Sequence, residues 1–432
     1  MSQGDHSVAF VRHDPLPPQA PPVSQAGVIG WLRTNLFSSI GNSIMTLITL
    51  YVIYALLAAI VPWIANGVWD ASSIRECREQ LQGVNAACWA VIEERWPQLV
   101  FGNYPPEHYG RAVLAFVLLF VALAPVLYFG LPRKMLWFTG LYPFLAYWLI
   151  WGGTLWIPIM ALVGVVVGFV VFRLLEEKSF FGAMVAALAA ALAFWIVLTA
   201  PLAEALAGVL PLALTPVASR EIGGFMINFI LGTSGIALSL PLGIMLALGR
   251  QSTLPIIKMI CVIFIEFVRG VPLITLLFVA SVMLAYFLPP GTNFDLMLRV
   301  IIMVTLFAAA YMAEAIRGGL AALPKGQYEA GDSLGLDYWQ KMRLIVLPQA
   351  LKISIPSIVN IAIGLFKDTT LVSIISMFDV IGMIRGPILS STEWFGVYWE
   401  LLGFAGVLFF VFCYGISQYS QWLERKLATD HR

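Results

Sequence analysis

The chain reads as an all-α polytopic membrane protein with about ten transmembrane helices. Three observations predict this. Hydrophobic residues make up 60% of the 432 residues and charged residues only 11%, against roughly 25% charged in an ordinary soluble domain. The mean hydropathy is +0.87. Several apolar runs reach the ~20 residues that a helix needs to cross the hydrocarbon layer. Inside lipid each backbone N–H and C=O has to be satisfied within its own segment, so such runs form helices.

Residues 1–30 hold Asp5, His6, Arg12 and His13 among repeated prolines and do not read as a signal peptide. They cannot bury a core and are expected to form a disordered tail. Spans are then expected near 43–64, 112–131, 135–152, 155–174, 180–200, 223–249, 260–288, 298–316, 355–377 and 402–422. The polar loop 65–111 carries Cys77 and Cys88, which form a disulfide in an oxidising compartment or remain two free thiols. Gly164 and Gly168 make a GxxxG pair suited to close helix packing. Gly235, Pro241 and Gly243 are expected to interrupt the sixth span, and Pro356 to start the ninth. The stretch 254–288 is too long for one straight span and carries Pro272, which predicts a broken or partly interfacial helix.

Lys and Arg placement sets the orientation. With both termini inside, one side collects Arg133 and Lys134; Arg173 and Lys178; Arg250 and Lys258; Arg317, Lys325, Lys341, Arg343 and Lys352; and Arg425 and Lys426. This puts loop 65–111 outside and segment 317–354 inside. Residues 31–210 have few ionisable groups at membrane depth and form an accessory region. Residues 222–424 hold nearly all of them. A net charge of +1 without a basic tract gives no reason to expect a nucleic-acid partner.

Segment 327–348 is a charged, helix-forming stretch between apolar runs. Tyr328 to Leu334 suits a short amphipathic helix, and Gly335 stops it, since glycine is favoured just past a helix end. A second helix is expected from Asp337 to Leu347, with Pro348 as its limit or a kink. Glu329, Asp332 and Arg343 form a charged face open to a partner. At membrane depth, Glu266 and Arg269 share one helix face, as do Glu314 and Arg317. Lys367 and Asp368 are followed by Thr369 and Thr370. Ionisable residues at this depth face a bundle interior or an aqueous path. They serve here either as pairs holding helices in register or as parts of a pathway or gate.

Several motifs carry a family resemblance. Glu329, Ala330, Gly331 and Asp332, then Gly335, then Ile345, Leu347 and Pro348, match in spacing the EAA loop of ABC-importer permeases, except that the family usually has Ala where Gly331 stands. Phe267 to Leu273, Tyr311 to Gly319 and Lys367 to Ser373 resemble polar-amino-acid permeases of the histidine/glutamine branch, which usually has Ser where Thr370 stands. That resemblance covers 222–424 and implies a five-helix (MetI-like) permease core. The whole chain resembles the M-type permease subunit of general L-amino-acid ABC importers. Cys88, Trp89 and Ala90, with Tyr104 and Pro105, look like the outer loop of that subunit; the hairpin near 155–200 is an addition.

The resemblance implies a subunit of an inner-membrane importer of L-amino acids. Two copies of an ABC ATPase subunit would dock on the 327–348 loops. A second homologous permease and a periplasmic amino-acid-binding protein would complete the assembly. No G-x-x-x-x-G-K-[S/T] loop occurs in this chain, so ATP and Mg belong to the partner ATPases. No cofactor, metal or catalytic group is expected here: the four histidines lie in tails or a loop, and no zinc spacing or serine elbow occurs. The competing reading is an ion-gradient-driven secondary amino-acid transporter using Glu314, Lys367 and Asp368. It calls for inverted repeats, and none is visible.

Overall fold

The computed structural model describes residues 27–128, 130–177, 180–287 and 295–427. Residues 1–26 of the tail expected over 1–30, and Lys178, lie outside them. Two compact units are present: the chain up to Val68 together with Glu79–Ala87, and Trp69–Arg78 together with the chain from Cys88.

The first unit contains α1 (Gly27–Asn35) and α2 (Ile40–Ala65), so residues 27–30, expected in the tail, are helical. The Ser39 hydroxyl caps α2 by accepting the Asn42 N–H at 3.2 Å. At 26 residues α2 is ~39 Å long. Its apolar residues surround the axis and none is buried within the protein, the pattern of a helix solvated by lipid.

In chain order α3 (Ile74–Leu81), α4 (Ala90–Phe101), α5 (Tyr109–Leu127), α6 (Leu136–Trp151), α7 (Trp156–Leu175), α8 (Phe180–Ala193) and α9 (Thr199–Val209) follow. A wide π-turn, Phe194–Leu198, joins the last two. β1 (Gly153–Thr154) pairs antiparallel with β2 (Ala213–Leu214), Gly153 opposite Leu214. The glycine pair in α7 does allow close packing: a Cβ on Gly164 would come within 2.1 Å of the Trp195 Nε1.

The core consists of α10 (Gly224–Arg250), the bent pair α11 (Pro255–Gly270) and α12 (Leu273–Phe278), a short α13 (Leu284–Phe287), and α14 (Leu296–Ala322). Then come α15 (Lys325–Ser333), α16 (Tyr338–Lys341), α17 (Leu347–Asp368), α18 (Val380–Met383) and α19 (Tyr398–Leu427). Among the described residues eight helices are long and apolar enough to cross a membrane; the pair bent by 101° at Val271-Pro272 is a broken span, which makes nine, or a re-entrant loop. The remaining expected span, α6, has 16 residues, or ~24 Å.

Two helix-breaker expectations are corrected, and of the two alternatives for Pro348 the helix limit falls. α10 runs unbroken through Gly235, Pro241 and Gly243. Gly243 instead makes room for α14, since a Cβ there would lie 2.6 Å from the Met312 Cβ. Pro356 lies inside α17 rather than at its start. The helix after Asp337 does not stop at Pro348: α16 passes through a π-turn, Met342–Val346, into α17. Pro348 sits just after that π-turn.

Two buried clusters hold the core. Ile227, Leu231, Val300, Val304, Ala308 and Leu365 pack where the first halves of α10 and α14 meet the C-terminal end of α17. Ala247, Ile265, Ile316, Leu320, Met342 and Val346 fill the end nearest α15 and α16. In a bilayer such clusters are held by close packing between helices rather than by withdrawal from water.

Candidate coupling and pathway sites

The 327–348 segment is a helix–turn–helix standing out from the core. α15 ends at Ser333 with Leu334 as its C-cap, and Gly335 follows at φ +69°, a left-handed conformation that glycine adopts without strain. The Leu334, Gly335 and Leu336 N–H groups bond back to Ala330, Asp332 and Gly331 carbonyls at 3.0–3.2 Å. Asp337 opens α16 with a capping box, its Oδ1 accepting the Gln340 N–H at 2.8 Å. One face is anchored: Met342 and Val346 are buried and Tyr328 packs against the same cluster. Burial pushes the Tyr328 phenol pKa up. Gln349 donates to Gln327 at 2.8 Å, tying α17 to α15.

The opposite face is open. Glu329, Ala330, Asp332, Gly335, Arg343 and Pro348 are exposed, and Ile345 and Leu347 partly so. Among them stand exposed apolar side chains, Leu334, Tyr338, Trp339 and Leu344. Gly331 is buried, and Lys341 bridges from α16 to Asp332.

The expected pairs Glu266–Arg269 and Glu314–Arg317 belong to one network. Glu314 is its hub: its carboxylate accepts from the Arg317 Nε at 2.9 Å and lies 3.3 Å from Arg250 and 3.7 Å from Arg269. Glu266 lies 2.9 Å from Arg250 and 3.8 Å from Arg269. Two carboxylates thus meet three guanidiniums and lock α10, α11 and α14 together. The Arg269 guanidinium also sits over the Tyr311 ring at 5.7 Å. Arg250 was not among the expected site residues, because as the last residue of α10 it reads as a topology signal.

Lys367 and Asp368 end α17. Asp368 lines a cavity of about 250 Å³ with Phe307, Ala308, Tyr311, Ile361, Gly364 and Leu365. Lys367 is exposed and outside that lining. Thr369 does not line it either. It is buried, accepts from the Asn228 Nδ2 at 2.9 Å and donates to the Phe366 carbonyl at 2.7 Å. Asn228 also donates to the Asp379 Oδ2 at 3.2 Å. Burial pushes the Asp379 carboxyl up to about 6. Neither Asn228 nor Asp379 was expected from sequence: each is a lone polar residue in an apolar setting.

Cys77 and Cys88 form a disulfide. Both are buried. The Cys88 N–H donates to the Glu400 Oε1 of α19 at 3.0 Å. The Trp394 Nε1 donates to Glu94 at 3.1 Å, Arg95 pairs with Glu393, and the Ile74 N–H donates to the Glu393 carbonyl at 2.7 Å. α3 and α4 are therefore stapled to the segment between α18 and α19.

Residues 239–428 match the family model described as binding-protein-dependent transport system inner membrane component. The chain is 53% identical, over 98% of its length and 99% of the relative's, to the glutamate/glutamine/aspartate/asparagine transport system permease protein BztC of Rhodobacter capsulatus. It is 36% identical, over 96% of each, to the inner membrane amino-acid ABC transporter permease protein YhdY of Escherichia coli. A solved structure described as an amino acid ABC transporter with histidines is 27% identical with a TM-score of 0.42, covering 47% of this chain and 92% of that one.

Proposed function

The chain belongs to the amino-acid ABC-transporter permeases, and from that membership we propose the following assembly and pathway. As the membrane-spanning permease of a binding-protein-dependent importer, it carries L-amino acids across the inner membrane. It forms part of the pathway, and a second homologous permease subunit forms the rest. Two ATPase subunits bind ATP and Mg and dock on the open face of α15 and α16. A periplasmic amino-acid-binding protein delivers substrate. The chain itself has no enzymatic role.

The near-full-length similarity to the Rhodobacter permease carries this reading. The exposed helix–turn–helix supports the docking surface: a short helix ending in a left-handed glycine presents both charged and apolar side chains. The orientation with both termini in the cytoplasm is supported by the placement of Lys and Arg, and it sets the Cys77–Cys88 disulfide in the oxidising periplasm. The cavity beside Asp368 and Tyr311 is the candidate pathway, and the ionic network around Glu314 sits between it and α15. ATPase closure drawing on α15 would then act on α14 and α17 through their shared core.

The test is purification of the intact assembly and reconstitution in vesicles with its binding protein. ATP-dependent uptake is expected, with the amino acids named for the Rhodobacter relative tried first. Gly335→Ala or Glu329→Ala should reduce both ATPase association and uptake. Uptake by this chain alone, without ATP, would instead favour an ion-gradient-driven transporter.

A further inference from the structure

One buried polar cluster neither couples to a partner nor lines the cavity. Asn228 of α10, Thr369 after α17 and Asp379 before α18 meet where Asn228 and Asp379 are 0% exposed and Thr369 1%. Asn228 satisfies its whole amide there. Its Nδ2 donates to the Thr369 Oγ1 at 2.9 Å and to the Asp379 Oδ2 at 3.2 Å, and its Oδ1 accepts the Val380 N–H at 3.3 Å. Asp379 accepts the Gly382 N–H at 2.9 Å and the Ile381 N–H at 3.3 Å. The Gly224 N–H donates to the Phe378 carbonyl at 2.8 Å beside it.

Asp379 has no cation partner among the described residues; N–H donors alone hold its charge. Neighbouring ionisable groups are engaged elsewhere. Asp368 lines the cavity, Lys367 and Arg385 are exposed, and Arg95 of α4 pairs with Glu393. A buried network is rigid while every member is satisfied and weak once one is not. Its position matters because Thr369 directly follows Asp368.

We propose that Asn228 and Asp379 are positioning residues that act through Thr369 to hold Asp368 and the outer end of α17 in register, and that this hold requires the charged Asp379 carboxylate. The proposal rests on the permease reading above. A protonated carboxyl places an O–H among N–H donors and loses acceptor capacity. Because burial raises the carboxyl to about 6, the hold loosens in mild acid. The ionised fraction falls about tenfold between pH 7 and pH 5.

The test is ATP-driven amino-acid uptake by the reconstituted whole assembly at pH 5 to 8, for wild type, Asp379→Asn, Thr369→Val and Thr369→Ser. Wild-type uptake should fall at least about threefold from pH 7 to pH 5 relative to Asp379→Asn, as the ionised fraction does. Acid effects on the ATPase and binding protein are common to both and divide out. Asp379→Asn should be slow throughout, without that extra acid limb. Thr369→Ser should retain clearly more uptake than Thr369→Val. Identical pH profiles for wild type and Asp379→Asn overturn the proposal. Should Asp379→Asn fail to assemble, the Thr369 variants decide, and equal rates for Val and Ser overturn it. No ATP-driven uptake by wild type removes the permease reading itself.

Discussion

The side-chain stem of Lys341 lies directly on Gly331, and its ammonium pairs with Asp332 one residue further along α15. A Cβ on residue 331 would come within 2.7 Å of the Lys341 Cδ and 2.8 Å of its Cγ. An alanine methyl at residue 331 would therefore compete with the Lys341 stem for the same space. Within a helix, glycine costs ~0.5–1 kcal/mol relative to alanine. Gly331→Ala alone should yield less than this, since Lys341 must move. In a Lys341→Ala background the full ~0.5–1 kcal/mol should appear. Thermal unfolding of the purified assembly gives the cycle, and purely additive effects would refute the packing account.

Glu314 and Glu266 share the same guanidiniums but not the same weight. Glu314 is 26% exposed and faces three arginines, whereas Glu266 is 52% exposed and faces two. Glu314→Gln leaves Arg250, Arg269 and Arg317 short of one carboxylate and should cost ~1–3 kcal/mol. Glu266→Gln should cost less than ~1 kcal/mol, as for an exposed pair. Denaturant midpoints of the two variants measure the order, and the reverse order would displace Glu314 as the hub.

Much of this organisation is legible in the sequence because lipid imposes length and polarity on each span. The break at Val271-Pro272 is legible because proline lacks an N–H. The continuity of α10 is not: Gly235 and Gly243 look like helix breakers until Val304 and Met312 are seen opposite them. Glu266–Arg269 and Glu314–Arg317 follow from helical spacing, but their junction through Arg250 spans 64 positions to Glu314. Asn228 meets Asp379 across 151 positions. Local spacing carries no information about such contacts; they arise only when helices pack.

The disulfide separates two structural roles in the loop between α2 and α5. Cys77 and Cys88 are 11 residues apart, and closing a loop of that size stabilises by about 3 kcal/mol in the chain-entropy account. Cys77→Ser with Cys88→Ser should free α3 for protease cleavage near Leu81. α4 should keep its Glu94–Trp394 bond and resist. Glu400→Ala should weaken the Cys88 anchor, and Glu400→Gln, which keeps an acceptor oxygen, should not. Limited proteolysis reads each result, and equal protection of α3 with and without the disulfide would count against the staple.

Stability and transport should respond to acid with opposite signs. The Asp379 carboxyl titrates at about 6 in the folded chain against 3.8 unperturbed. Above about 6 it is charged in both states and burial penalises the fold. As pH falls from about 6 towards 3.8 the folded chain takes up a proton that the unfolded chain does not. The fold then gains up to about 3 kcal/mol. Glu76 behaves in the opposite sense. Ser72 donates to it from backbone and hydroxyl and holds its carboxyl below 4.5. Its contribution is present above 4.5 and lost as pH falls through its lowered value. Between these windows, near pH 5, Asp379 dominates. The unfolding midpoint of wild type should therefore rise from pH 7 to pH 5 relative to Asp379→Asn, while uptake falls. Loss of structure alone would lower both together, so opposite slopes separate a positioning carboxylate from a merely destabilised fold.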